Sequence, residues 1–99
     1  MKNWYTEEYG FKTTVISVGA DNVTENRCRN GHEAGDEFYC EYGCPPGGFC
    51  SKSMTKLFPL MEAVRAGGDL RNLGGSEERV MEFCCPDGVV WFRMESERK

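Results

Sequence analysis

Positive charge is in short supply in this chain. Twelve Lys and Arg stand against sixteen Asp and Glu, a formal charge of −4 with a pI near 5.0. Association with nucleic acid or an anionic membrane surface draws on concentrated positive charge, so the balance argues against both as partners. Long apolar runs are also missing, and with them any stretch that could span a membrane as a helix. The opening residues, Met1 to Tyr9, carry Glu7 and Glu8 and no apolar core of a signal peptide. A secretory leader is therefore not expected, and the chain is read as cytoplasmic. Histidine occurs once, at His32. The familiar catalytic signatures are absent: no G-x-S-x-G, no Walker loop, and no dinucleotide fingerprint after a strand, so no nucleotide cofactor is expected. No C-x2-C pair occurs either, which removes the standard zinc-finger and ferredoxin patterns.

What the chain does have is cysteine, six residues in ninety-nine. A cytoplasmic setting keeps thiols reduced, and six of them then point to metal or redox chemistry before a disulfide framework. Three fall between Cys40 and Cys50, in a stretch that also holds two prolines and three glycines. Such a stretch cannot be a helix or an inner strand, because Pro lacks the N–H and Gly resists ordering. It reads as a loop able to turn several thiols toward one point.

The rest of the chain reads as one domain over residues 11–95, with an N-terminal arm at 1–10 and a charged, frayed tail at 96–99. Phe11 to Val18 is β-branched and aromatic, a strand pattern. Glu37 to Tyr42 alternates, with Phe38, Cys40 and Tyr42 on one face and Glu37, Tyr39 and Glu41 on the other. After the thiol loop, Ser51 or Ser53 can cap a helix whose apolar stripe is Met54, Leu57, Phe58, Met61 and Val64. Pro59 is tolerable if regular helix begins near Thr55. Gly67-Gly68 supplies a left-handed stop, with Arg65 at the negative end. Asp69 to Glu78 reads as a polar loop. Arg79–Cys85 and Val89–Met94 form a hairpin around Pro86-Asp87-Gly88, with Gly88 left-handed after a type I turn. Apolar residues on both faces of that hairpin predict an interior strand pair, with a partner chain or the N-terminal arm covering one side. The order β-β-α-β-β predicts a small α+β domain, an antiparallel sheet with one main helix packed on it.

The residues able to carry chemistry are Cys28, His32, Cys40, Cys44, Cys50, Cys84 and Cys85. Thiolate and imidazole suit zinc or an iron–sulfur cluster. The spacings Cys28-x3-His32 and Cys40-x3-Cys44-x5-Cys50 are compatible with ligation. Adjacent Cys84 and Cys85 face opposite sides of a strand, so only one can join a given site. Cys40 fits core packing equally well, since buried free cysteine behaves as a small hydrophobe.

The run Gly31-His32-x-x-Gly35-Asp36-x-Phe38, then Gly48-x-Cys50, a helix containing Pro59 and ending Arg65-x-Gly67-Gly68, then Cys84-Cys85-Pro86-Asp87, resembles an uncharacterised family. Its members are small, cysteine-containing, anaerobe-associated prokaryotic proteins. The resemblance covers roughly residues 11–95. It implies that Cys28, His32, Cys50 and Cys85 match recurrent positions, and that Cys40 and Cys44 are extras. It brings no activity with it; an anaerobic setting implies reduced thiols and makes iron–sulfur chemistry available.

Three functions follow. The first is a small metal-binding accessory or electron-transfer protein, with Cys28, His32, Cys50 and Cys85 as ligands to zinc or an iron–sulfur cluster, working beside a larger enzyme. The second is a thiol-redox or thiol-nucleophile enzyme using Cys50 or Cys85. The third is a metal-free homodimeric interaction module that uses the outer face of the hairpin.

Overall fold

The computed structural model describes residues 5–19, 28–42 and 47–99. Its framework is an antiparallel sheet of four strands and one main helix, an α+β fold as the pattern predicts. The strands are β1 (Tyr9–Val18), β2 (Glu37–Cys40), β3 (Val80–Cys84) and β4 (Val90–Arg98), and the helix α1 is Met54–Arg65. Across the sheet the order is β2-β1-β4-β3. The third and second strands are thus not neighbours; they form opposite edges. The cause is the length of β4, which continues to Arg98 and pairs along the whole of β1, from Tyr9↔Arg98 to Val18↔Val90.

That pairing also corrects the reading of the two termini. The tail is not frayed, because Ser96 to Arg98 complete a central strand and the Lys99 N–H donates to Glu8 O. At the other end the first strand already begins at Tyr9. Glu7, just ahead of it, ion-pairs with Arg65 at 3.0 Å, each side chain only 7% exposed. Alternating charges in Glu95-Ser96-Glu97-Arg98 look like a solvated end when read alone. They alternate because Ser96 faces inward and its neighbours outward.

One face of the sheet carries Phe11, Thr13, Val15, Phe83, Val90, Phe92 and Met94, all buried. Leu57, Met61 and Val64 of α1 complete the same core. Phe58, assigned to this stripe by its spacing, is 46% exposed. It lies one position off the line of Leu57, Met61 and Val64, which alone fills the contact. Helix α1 runs through Pro59 and stops where expected. The Gly68 N–H donates to Ala63 O and the Gly67 N–H to Val64 O, with Gly67 left-handed at φ 82°. The polar stretch that follows is not a plain loop. It forms a 3₁₀ turn, Leu70–Leu73, capped by the Asp69 carboxylate, and Leu70 is fully buried.

The hairpin does not form an interior pair, since β3 is an edge strand. Its outward positions pair Val80 with Glu95, Glu82 with Arg93 and Cys84 with Trp91. The outer face is therefore mixed, with a Glu82–Arg93 ion pair at 2.8 Å beside Trp91. The turn itself forms as read: the Gly88 N–H donates to Cys85 O at 2.9 Å, and Gly88 has φ 76°. Among the described residues no helix is long and apolar enough to cross a membrane.

Candidate thiol site

At the end of the sheet where β1 stops and β4 starts, a cavity of about 290 Å³ opens beside the start of α1. Its lining brings together Cys28, His32, Cys50 and Cys85 from three separate segments. Cys40 is buried in the core, and Cys84 points to the other face of the sheet opposite Trp91. Cys44 lies outside the described residues. Strand β3 can deliver Cys85 to a cavity also reached by the Cys28–His32 turn because the β3–β4 turn folds over the end of the sheet.

Each of the three thiols is held differently. Cys28 opens the turn that precedes β2: its carbonyl takes the Gly31 N–H at 3.0 Å and its sulfur takes the His32 N–H at 3.4 Å. Cys85 closes β3, and its sulfur accepts the N–H groups of Val89 and Val90 at 3.2 and 3.3 Å. It is 8% exposed. Cys50 is more open, and stands where the backbone begins to coil. The Met54 N–H donates to Cys50 O at 3.2 Å, so Cys50 opens the turn at 51–53 that leads into α1. Ser53 makes no cap of its own.

A residue that opens a turn can direct its side chain toward the N–H groups two and three residues on, which lack partners in the helix that follows. At Cys50 these are the N–H groups of Lys52 and Ser53, and both favour the thiolate. The Ser53 hydroxyl lies beside them, fully buried, lining the cavity and without a hydrogen-bond partner among the described residues. The ionised Cys50 sulfur is the acceptor within its range. Burial opposes ionisation, and the Asp87 charge opposes it slightly. The Ser53 N–H and hydroxyl and the Lys52 N–H outweigh them and hold the Cys50 thiol below its usual range. Cys84 shows the opposite: burial and the neighbouring Cys85 push its thiol up.

His32 is 3% exposed, packed edge-on against Phe38 and Phe92 and close to Phe49. Its Nε2 accepts the Cys50 backbone N–H at 3.2 Å, which leaves the ring hydrogen on Nδ1. The Asn30 side-chain amide is also 3.2 Å from Nε2, and it donates to Gly48 O at 2.8 Å. Burial lowers the His32 pKa and keeps the ring neutral. Nε2, the atom a metal or a thiol proton would seek, is thus already engaged. The ring ties the Asn30–His32 turn to the backbone of Cys50.

At the rim, Asp87 bridges Lys52 at 2.5 Å and Arg29 at 3.0 Å. These contacts join the turn after Cys28, the start of α1 and the β3–β4 turn. Among the described residues the cavity lining therefore holds two cations and one anion, in a chain that carries net negative charge. Among the described residues, no three His, Cys, Asp or Glu side chains stand close enough together to hold one metal ion. The resemblance implied the set of thiols that meet here, whereas the spacings alone pointed equally to Cys40 and Cys44, and neither gave Ser53 and Lys52 as partners. The signal was present in Cys50-Ser51-Lys52-Ser53, a thiol and a hydroxyl three residues apart at a helix start. Comparison of the chain with protein-family models, curated proteins and solved structures finds no match.

Proposed function

We propose that the cavity is a thiol-nucleophile site and that Cys50 is its reacting group. The observation that carries this reading is the position of Cys50 at the opening of the turn that leads into α1, with the N–H groups of Lys52 and Ser53 and the buried Ser53 hydroxyl beside its sulfur. An anionic sulfur there replaces the missing acceptor for three donors, so ionisation relieves a cost the fold otherwise bears. Helix polarity acts in the same direction. The thiolate is the nucleophile in alkylation and in thiol–disulfide exchange, and a lowered pKa increases its share below the ordinary thiol range. Asn30 and His32 are positioning residues that fix the Cys50 backbone.

The test is labelling of the reduced protein with iodoacetamide across the neutral range, with each modified cysteine located by peptide mapping. Cys50 should react first, with a midpoint below the ordinary thiol value of 9.0. Ser53→Ala should raise that midpoint without unfolding the chain. Labelling of Cys50 no faster than Cys84 would overturn the reading.

A second reading is a zinc or iron–sulfur protein with Cys28, His32, Cys50 and Cys85 as ligands. It is favoured by one observation, the arrival of all four at a single cavity. It requires His32 to release the Cys50 N–H or to ligate through its other nitrogen. Protein purified without oxygen, carrying one equivalent of metal and resisting alkylation at Cys50, would establish it in place of the first.

A further inference from the structure

The cavity offers more than a reactive sulfur. Its volume of about 290 Å³ far exceeds the space of a single water, about 30 Å³, so a small molecule fits beside Cys50. The donors around it are all positive or hydrogen-bearing: the N–H groups that start α1, the Ser53 hydroxyl, the Lys52 ammonium and the Arg29 guanidinium. Among the described lining residues Asp87 is the one carboxylate, and it is shared between the two cations. The opposite wall is apolar or held sulfur, formed by Pro86, Val89, Val90 and Cys85. A molecule that meets this set needs a soft electrophilic atom at one end and a negative group at the other. Disulfide sulfur is such an atom, and it is the natural reaction partner of a thiolate.

We infer that the site takes a small anionic disulfide, formed from a carboxylate-bearing thiol, with Cys50 attacking one sulfur while Lys52 and Arg29 receive the carboxylate. The inference rests on the thiolate reading of Cys50. The Cys50 sulfur attacks along the S–S axis, a new S–S bond forms to Cys50, and the second half leaves as a thiolate. The electron pair of the broken bond departs with it. A second small thiolate then attacks the mixed disulfide, restores the Cys50 thiolate and carries away the bound half as a new disulfide. Nothing is oxidised overall; the disulfide bond changes partners.

The experiment uses the reduced full chain and three symmetric disulfides: dithiodipropionate (anionic), hydroxyethyl disulfide (neutral) and cystamine (cationic). Adducts are located at Cys50 by peptide mapping. Each rate is divided by the rate of the same disulfide with the urea-unfolded chain, which removes differences in intrinsic reactivity. The expected order is anionic, neutral, cationic, with about a tenfold spread from first to last. Arg29 and Lys52 are surface side chains, so Arg29→Gln with Lys52→Gln should keep the melting temperature and flatten the order. Equal normalised rates, with Cys50 still first to react with neutral iodoacetamide, would overturn the anionic-substrate inference and leave the thiolate site intact. Loss of priority for Cys50 with iodoacetamide would overturn both.

Discussion

Gly88 and Gly75 are two of the twelve glycines of the chain, and different forces fix them. Gly88 has φ 76° and open space around its missing side chain, so only backbone conformation favours glycine there. Gly88→Val should therefore lower stability by about 1 kcal/mol or somewhat more, the cost of holding a β-branched residue left-handed. At Gly75 a side chain would stand 2.5 Å from Val80 O and 2.9 Å from Leu70 O, both backbone atoms that cannot swing aside. Gly75→Ala should cost more than Gly88→Val despite the smaller substitution. Denaturant titration of the two variants checks the order; the reverse order would mean that the 3₁₀ turn gives way freely. Gly88 was legible in the sequence because its need is local, set by Pro86-Asp87 before it. The need at Gly75 comes from a strand five residues away folding back, and no local pattern records it.

At the scale of elements, the strands and α1 were legible because each carries its own period. What the pattern could not show was the fastening of one element to another. Arg65 reads as a charge suited to a helix end. In the fold its guanidinium lies over the rings of Phe11 and Tyr42 and pairs with Glu7. Burial raises the Glu7 pKa, but hydrogen bonds from Arg65 and from the Tyr42 and Tyr9 N–H groups outweigh it, leaving the carboxyl below its ordinary value of 4.5. A depressed carboxylate stabilises the fold above its unfolded pKa and loses that contribution as pH falls through its folded pKa. Glu7→Gln should thus cost about 2 to 4 kcal/mol near neutrality, because it leaves Arg65 buried with only the half-exposed Glu62 as partner. The gap to the wild-type chain should hold down to about pH 4.5 and close below it. Urea melts of both proteins at a series of pH values test this; a gap that persists unchanged in acid would assign the loss to packing rather than to charge.

Across the whole molecule, the candidate site is assembled by segments that the sequence separates widely: the turn at Cys28, the turn from Cys50 into α1 and the β3–β4 turn at Cys85. Residue type gave the candidate thiols, since few side chains can do such chemistry, and the resemblance implied which of them form the set. Their surroundings were not legible, because partners are decided by the order β2-β1-β4-β3 and by where the chain coils after Cys50. Asp87 shows what that assembly adds. It occupies a turn corner, where its sequence role ends, yet it holds Lys52 and Arg29 at the cavity rim and its charge bears on the Cys50 sulfur. Both ion pairs are substantially exposed, so Asp87→Asn should change stability little. Its effect on reactivity should be clear in sign. Removing the negative charge removes one of the influences that raise the Cys50 pKa, and it frees both cations. The alkylation midpoint of Cys50 should move further down. Iodoacetate, which is anionic, should gain more than neutral iodoacetamide, because only the charged reagent also meets the released Lys52 and Arg29. Measuring both reagents on the wild-type and variant proteins separates these effects. An equal gain with both would mean that Asp87 acts on the sulfur alone, and a loss with both would mean that it holds the cavity in shape.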